Sequence, residues 1–248
     1  MSAPRRFRAL HDDGFFVMPN AWDVGSATQL AALGPPALAT TSSGHAASLG
    51  RRDQEVTFDE LVTHVAALVA AVDVPVSVDS EHLFAATDGE IRANVRALAD
   101  LGAGGISIED HVPDRGGIIP LDEARRRVAA AADAAAESGL VVTARAENHL
   151  YGRDDLADTL TRLLAYRDAG ADVLYAPGLV DAEEVRRVVE TVEAPVNVLL
   201  LPGGPGPSEL AALGVRRAST GGRLAHVAYD AARTAAAALL APLGRSAG

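Results

Sequence analysis

The sequence predicts an α/β fold of the (β/α)8 TIM-barrel type, which fills the whole chain, residues 1–248, as a single domain with a short N-terminal helix and a C-terminal tail. Short apolar segments alternate with helical patterns along the entire length, and eight strand–helix pairs in about 240 residues match the count and length of this barrel. No linker or change in composition divides the chain. The rival doubly wound sheet lacks a G-x-G-x-x-G turn after its first strand.

The eight strands are predicted from short apolar, β-branched segments that turn residues separate. In chain order they are FVMPNA, ALATTSS, PVSVDSE, GISIED, VVTARAE, DVLYAP, PVNVLL and VRRAST. Two predicted helices begin with a capping box, in which a threonine precedes a glutamate by three residues: Thr57 with Glu60, and Thr87 with Glu90. Four glycines mark helix ends ahead of strands: Gly102, Gly139, Gly170 and Gly214.

The composition excludes several kinds of chemistry. The chain has no cysteine, and all 22 of its basic residues are arginine. Disulfides, thiolate nucleophiles and cysteine metal sites are therefore excluded. Without lysine there is no Schiff base, so lysine-dependent aldolases and pyridoxal phosphate enzymes are excluded as well.

The charge and hydropathy patterns limit the kinds of binding partner and the cellular location that we expect for this protein. The formal net charge is −11, which argues against nucleic acid or an anionic membrane surface as a partner. No apolar run approaches the ~20 residues of a membrane span. The first residues lack the apolar segment of a signal peptide, so we expect a cytoplasmic protein.

Polar and charged residues follow several predicted strands at the end where a TIM barrel places its active site. Ser43, Gly44 and His45 follow the second strand, Asp79 and Glu81 end the third, Glu109 ends the fourth, Arg145 and Glu147 end the fifth, and Asn197 lies on the seventh. Asp79 and Glu81 are two residues apart, which on a strand places both side chains on one face. We therefore expect at least three carboxylates and one arginine to converge at the barrel mouth.

Three carboxylates in one small cavity require a cation or raised pKa values. Because Asp79, Glu81 and Glu109 offer only oxygen ligands, the sequence predicts Mg²⁺, with Mn²⁺ as a possible substitute. Asp53 is a weaker candidate for holding a metal-bound water. Removing Asp79 is expected to abolish metal binding and to relieve repulsion in the empty site. The alternative is that these acids form helix caps and surface ion pairs, and Asp110 is a candidate cap.

The ordered set PNAWD, TSSG, VDSE, GISIED and TARAEN resembles the isocitrate lyase/phosphoenolpyruvate mutase superfamily, in its short, poorly characterised members. The resemblance covers residues 5 to 240, roughly the whole chain. It implies a TIM barrel that binds Mg²⁺ and a small 2-oxo acid or related carboxylate. It also implies a homo-oligomer, either a homodimer or a homotetramer built as a dimer of dimers, in which neighbours exchange the last helix.

The resemblance also implies roles for individual residues. Asp79 resembles the direct metal ligand, and Glu81 and Glu109 resemble the holders of metal-bound waters, with Asp53 nearby. Ser43, Gly44 and the backbone of His45 resemble the cradle for the substrate carboxylate. Two further residues resemble substrate contacts, namely Arg145, which offsets charge on the oxo acid, and Asn197.

The loop after the fourth strand departs from the family pattern. It reads DHVPDRGGIIPLDE, without the cysteine of isocitrate and methylisocitrate lyases or the asparagine of phosphonomutases. His111 in this loop is a candidate acid, although a solvated loop histidine is an equal alternative. The leading interpretation is a Mg²⁺-dependent lyase that cleaves a C–C bond through an enolate-like intermediate. The alternatives are a P–C bond mutase or hydrolase acting on phosphonopyruvate, and a catalytically degenerate barrel that only binds a metabolite.

Overall fold

A computed structural model describes residues 1–241 of the protein. The part of the predicted C-terminal tail after residue 241 lies outside the described residues. The described chain contains eleven strands: β1 (Phe16–Met18), β2 (Asn20–Ala21), β3 (Leu38–Thr40), β4 (Val76–Val78), β5 (Gly105–Glu109), β6 (His111–Val112), β7 (Gly117–Ile118), β8 (Val141–Arg145), β9 (Val173–Tyr175), β10 (Val196–Leu199) and β11 (Arg217–Ser219).

The helices of the described residues alternate with these strands. They are α1 (Ala3–Ala9), α2 (Val24–Ala31), α3 (Ser42–Ser48), α4 (Phe58–Ala71), α5 (Asp88–Asp100), α6 (Leu121–Ser138), α7 (Leu156–Asp168), α8 (Ala182–Val192), α9 (Pro207–Ala212) and α10 (Arg223–Leu240), with a single 3₁₀ turn at Pro113–Arg115.

Nine of the strands form one parallel sheet in the order β1-β11-β10-β9-β8-β5-β4-β3-β2. The first predicted strand is split at Pro19, which has no N–H to donate to a ladder. Its first half pairs with β11 and its second half with β3. The split strand thus joins both edges of the sheet, and the predicted TIM-barrel fold is confirmed.

The predicted helix caps and helix-ending glycines also agree with the structure. Thr57 and Thr87 each cap a helix in a complete capping box with Glu60 and Glu90. All four predicted stop glycines have positive φ. Most predicted strands end earlier than expected, however, and the second and third differ most. The second gives way to α3 at Ser42, because the Thr41 side chain caps that helix, and the third ends at Val78.

Helix α1 closes the amino-terminal end of the barrel. Phe7 is fully buried there and packs against Gly105, where an added Cβ would lie 2.8 Å from the Phe7 ring and 2.7 Å from the Val141 carbonyl oxygen. The glycine is required because the helix approaches the strands this closely. The opposite end of the barrel remains open, and the polar strand ends meet there. No helix in residues 1–241 is long and apolar enough to span a bilayer.

Candidate active site

The carboxyl ends of the strands surround a cavity of about 140 Å³. Five of the predicted site residues line it: Ser43, Asp53, Asp79, Arg145 and Asn197. Glu81 and Glu109 lie directly behind this wall and are 2% and 4% exposed. The structure therefore brings the acids and the arginine together at the barrel mouth, as the sequence predicts.

Arg145 is the centre of the charge network. Its Nη1 donates to Asp79 Oδ1 at 2.6 Å, and its Nε donates to Glu147 Oε1 at 2.7 Å. Its Nη2 lies 3.2 Å from Glu109 Oε2. Burial lowers the pKa of this guanidinium, but the surrounding carboxylates, Glu147 first, raise it further than burial lowers it. The arginine stays charged and offsets part of the negative charge.

Asp79 is the carboxylate that the network presents to the cavity. Besides Arg145, its Oδ2 accepts from the backbone N–H of Ser42 at 2.9 Å, and its Oδ1 accepts from Ser107 Oγ at 3.4 Å. Its own N–H donates to Thr40 Oγ1 at 2.8 Å. These contacts fix the carboxylate although it lies beyond the end of β4.

Glu109 and Glu81 are held in an electrostatically costly position. Burial raises the pKa of Glu109, and the carboxylates of Glu147, Asp79 and Glu81 raise it further against the effect of Arg145. Burial and the charges of Asp79 and Asp53 raise the pKa of Glu81 to about 8. Among the described residues no hydrogen-bond partner reaches Glu81 Oε2. One arginine therefore does not neutralise the site.

The backbone conformation that carries Glu81 differs from the predicted strand. It does not share a strand face with Asp79, because β4 ends at Val78 and Glu81 lies in a turn with φ +48°. Leu83 and Phe84 in the same turn also have positive φ. Such backbone costs of order 1–3 kcal/mol per residue and persists only where surrounding contacts hold it.

The segment after β3 is a short helix and not a strand end. Ser43 lines the cavity, but the backbone N–H of His45 donates to the Thr41 carbonyl at 2.9 Å. The His45 ring is buried and stacks on His64 with ring centroids 3.7 Å apart. An added Cβ at Gly44 would lie 2.9 Å from Trp22 Cβ. Packing thus accounts for Gly44, and the backbone N–H of His45 is already bonded.

His111 begins an antiparallel hairpin formed by β6 and β7. Its ring stacks on Tyr151 at 3.8 Å and lines a second, shallower cavity with that residue. Its Nδ1 lies 4.0 Å from Glu109 Oε1. Burial lowers its pKa. His111 therefore lies behind Glu109 and does not line the main cavity.

Asp110 is not a helix cap. It is buried, and its carboxylate accepts from Tyr166 Oη at 2.6 Å and from the backbone N–H of Glu147 at 2.9 Å. Arg162 Nη1 lies 3.1 Å away. Asp110 thus holds the backbone of Glu147 in place through this hydrogen bond.

Two of the residues that sequence reasoning missed at the site are Gln54 and Arg217. Gln54, at φ +67° in the loop after α3, donates from Nε2 to Glu109 Oε1 at 2.9 Å. Arg217 lines the cavity from β11. No periodicity indicates that Gln54 reaches across 55 residues of sequence, whereas Arg217 was visible as a charge inside the apolar strand VRRAST.

The residues present fit Mg²⁺. The donor set consists only of oxygens, the buried Glu81 Oε2 lacks a partner, and the acids outnumber the cations. Within residues 1–241 no three acidic or histidine side chains form a ready-made metal cage. Mg²⁺ ordinarily takes only one or two carboxylates directly and keeps several waters, so a full cage is not required.

The phosphoenolpyruvate phosphomutase family model matches residues 7–240. The chain belongs to the isocitrate lyase/phosphoenolpyruvate mutase superfamily. An uncharacterized protein of Mycobacterium tuberculosis (strain ATCC 25618 / H37Rv) is 35% identical over 93% of this chain and 86% of its own length. The 2,3-dimethylmalate lyase of Eubacterium barkeri is 31% identical over 80% of this chain and 72% of its own.

Solved structures of the superfamily share the barrel. A candidate lyase/mutase from Burkholderia cenocepacia J2315 superposes with a TM-score of 0.92 at 47% identity, covering 96% of this chain and 88% of that one. Curated relatives in the superfamily include C–C lyases and oxaloacetate decarboxylases. A phosphonopyruvate hydrolase of the same fold, 22% identical, was solved in complex with oxalate and Mg²⁺.

Proposed function

We propose that the protein is a Mg²⁺-dependent carbon–carbon lyase that cleaves a bond beside the 2-oxo or 2-hydroxy group of a small carboxylate. The observation that carries this proposal is the contact of Arg145 with Asp79, Glu109 and Glu147 at the wall of the cavity. The lyase and decarboxylase relatives support a C–C bond as the target.

Asp79 would bind the metal ion directly, and Glu81 and Glu109 would hold its waters, with Asp53 at the rim. When bound, Mg²⁺ supplies a positive charge for the oxygen that becomes an enolate. Burial raises the pKa values of Glu81 and Glu109, repulsion from neighbouring carboxylates raises them further, and these acids would ionise more readily with the ion bound.

Arg145 would bind the substrate from the same side. Its planar guanidinium offers paired donors that suit a carboxylate or an enolate oxygen. Three carboxylates fix the guanidinium before substrate arrives, so little reorganisation accompanies the reaction, and such preorganised charge is commonly the largest catalytic contribution. Ser43 from α3 and Asn197 from β10 line the cavity and would be further substrate contacts.

His111 would act through Glu109 and not directly on the substrate, because its ring faces the second cavity. In this arrangement Glu109 lies nearer the substrate than His111, whose Nδ1 is 4.0 Å from Glu109 Oε1. The hairpin that carries His111 has neither cysteine nor asparagine between residues 111 and 121.

Turnover assays test the proposal. Purified protein is incubated with oxaloacetate, 2,3-dimethylmalate, 2-methylisocitrate and phosphonopyruvate, with Mg²⁺ or with EDTA, and pyruvate, propanoate and phosphate are measured. We expect Mg²⁺-dependent C–C cleavage of one carboxylate and its loss in Asp79→Asn. Arg96→Gln, which alters a surface ion pair with Glu137, should keep full activity.

Two outcomes would replace this proposal with an alternative. Release of phosphate from phosphonopyruvate, or its conversion to phosphoenolpyruvate, without C–C cleavage would assign a P–C bond enzyme, which the family model favours. Tight binding of oxalate without any turnover would assign a metabolite-binding barrel.

A further inference from the structure

Arg127 is a buried charge on an otherwise apolar helix face. It is 1% exposed, and the other buried residues of α6 are alanines and one valine. The two acids whose charges act on it, Glu123 and Asp88, pair with Arg115 and Arg126 instead. Its Nε has no hydrogen-bond partner among residues 1–241. Burying an unpaired ion is costly, so core packing alone does not explain an arginine at this position.

The guanidinium contacts the turn at residues 81–84. Its Nη2 donates to the His82 carbonyl oxygen at 2.7 Å. Glu81, Leu83 and Phe84 in this turn have φ values of +48°, +61° and +51°. Residues other than glycine seldom adopt the left-handed region, and they stay there only where surrounding contacts hold them. The hydrogen bond of the buried arginine therefore goes to a strained segment of backbone.

Three consecutive carbonyl oxygens of this turn accept hydrogen bonds from three different elements. The pairs are Glu81 with the N–H of Glu109 in β5 at 3.1 Å, His82 with Arg127 in α6 at 2.7 Å, and Leu83 with Nδ2 of Asn94 in α5 at 2.8 Å. Helix α5 follows the turn directly in sequence, whereas Arg127 lies 45 residues from His82. Arg127 thus ties the turn to a helix that is distant in sequence.

The carboxylate of Glu81 needs such support from its backbone. It is buried, and its Oε2 has no hydrogen-bond partner among residues 1–241. The charges of Asp79 and Asp53 oppose its ionisation, so the neighbouring carboxylates repel it when it is charged. The position of Glu81 beside Asp79 therefore depends on the conformation of the turn.

We propose that Arg127 is a positioning residue of the active site, whose hydrogen bond to His82 holds the turn in the conformation that places Glu81 beside Asp79. Arg127 lines neither cavity, so it acts through the backbone and does not touch a ligand. The consequence for the metal ion rests on the proposed function, in which Glu81 holds a metal-bound water. Arg127 would then set the Mg²⁺ affinity of a site that it does not contact.

Hydrogen exchange in the metal-free protein tests whether Arg127 holds the turn. The N–H groups of Leu83 and Glu109 bond to carbonyls of residues 80 and 81, and both should exchange at least about tenfold faster in Arg127→Met. The amides of β10, across the barrel from β4, report global unfolding and serve as the reference. Arg125→Met, which replaces an exposed arginine of the same helix, should exchange like the unmodified protein. Arg127→Lys keeps one charged donor and should retain part of the protection.

Calorimetric titration with Mg²⁺ tests the consequence for the site. Residues that orient metal ligands typically contribute about tenfold to hundredfold in affinity. We expect a loss in this range for Arg127→Met, no larger than the loss in Glu81→Gln. Adding Arg127→Met to Glu81→Gln should cause little further loss, because both changes act through the same carboxylate. If Arg127→Met does not fold, Arg127→Gln, which keeps polar atoms but has a shorter reach, takes its place in both experiments.

The outcomes separate this inference from the proposed function. If exchange at Leu83 and Glu109 rises no more than exchange in β10, Arg127 does not hold the turn and the inference is wrong. It is also wrong if the losses of Mg²⁺ affinity add in the double variant, as they would for a residue that only stabilises the fold. If the unmodified protein does not bind Mg²⁺, the proposed function is wrong, and the exchange experiment, made without metal, still decides the role of Arg127.

Discussion

Arg145 Nη1 lies 2.6 Å from Asp79 Oδ1, so the arginine at the centre of the site contacts the carboxylate that we propose as the direct metal ligand. The same guanidinium contacts Glu109 and Glu147. The proposed role in substrate binding and the observed contacts with buried acids therefore belong to one side chain, and substitutions should affect both.

Arg145→Lys keeps the charge but loses the planar set of donors. An ammonium group at one point cannot reach all three carboxylates in the present geometry. We expect oxalate affinity to fall about tenfold to hundredfold, since a charge-assisted bond contributes ~1.5–3 kcal/mol. The melting temperature should fall as well. Calorimetry and thermal unfolding measure the two effects, and unchanged oxalate affinity with a lower melting temperature would assign a purely structural role.

Asp79→Asn should abolish Mg²⁺ binding, because a neutral amide replaces the proposed direct ligand.

The hydrogen bonds of Asp79 lead to a different prediction for stability than the sequence did. The sequence-based expectation was that removing this acid relieves repulsion and stabilises the fold. Asp79 accepts from Arg145, Ser42 and Ser107, so Asp79→Ala should lower stability by breaking a partly buried pair. Calorimetric titration of Mg²⁺ and thermal unfolding check both statements. If Asp79→Asn retained its affinity for Mg²⁺, the metal ion would have to bind at another site.

The sequence was sufficient for the barrel because each local signal agreed with the fold. Apolar strand segments, capping boxes and stop glycines act over a few residues, and the eightfold alternation leaves few architectures. Convergence of Asp79, Glu109 and Arg145 followed from one rule about strand ends. These parts required no knowledge of how distant segments pack.

The positions of other site residues depend on how distant segments pack, so the sequence did not predict them. Glu81 faces the acids through a turn with positive φ, which strand alternation does not describe. Gln54 reaches Glu109 from a loop, and His45 turns away because Thr41 caps a helix where a strand end was expected.

The stacked pair of His45 and His64 should make the fold sensitive to acid. Burial, and to a lesser extent the neighbouring His45, lower the pKa of His64 to about 3. Between pH 6.5 and 3 the unfolded chain takes up a proton that the folded chain refuses. The stabilisation is complete above pH 6.5 and is lost as the pH falls through this window.

His64→Phe keeps an aromatic partner for His45 but does not titrate. Its free energy of unfolding should therefore depend less on pH between 6.5 and 3 than that of the unmodified protein. Urea unfolding at several pH values measures this dependence. Parallel curves for the two proteins would show that His64 does not contribute to acid sensitivity.

Helix α10 should form an interface between copies of the chain. From residue 226 to residue 241 every residue is exposed, and Val227, Leu239 and Leu240 are 58%, 86% and 82% exposed. A helix this apolar is stabilised by a partner surface, as the family resemblance implies for exchanged last helices. Sedimentation should give a dimer or tetramer at micromolar concentration.

Val227→Asp places a charge on this helix and should shift the protein toward monomers. Leu33→Asp is the matched control, because Leu33 is 80% exposed on another part of the barrel, and it should leave the assembly unchanged. A monomeric unmodified protein, or an oligomer indifferent to Val227→Asp, would contradict the interface.

Glu81 should link metal binding to pH. Its folded pKa is about 8 against an ordinary value of 4.5, so between these values the folded, metal-free protein holds a proton that the unfolded chain has released. Stability therefore falls as the pH rises through this window. Mg²⁺ favours the ionised carboxylate, so its binding near pH 7 should release about one proton, measurable by calorimetry in buffers of different ionisation enthalpy. Glu81→Gln should flatten the pH dependence and release none, whereas Glu90→Gln, in an exposed capping box, should change neither. Full proton release in Glu81→Gln would assign the titrating proton to another acid of the site, with Glu109 the first to be tested.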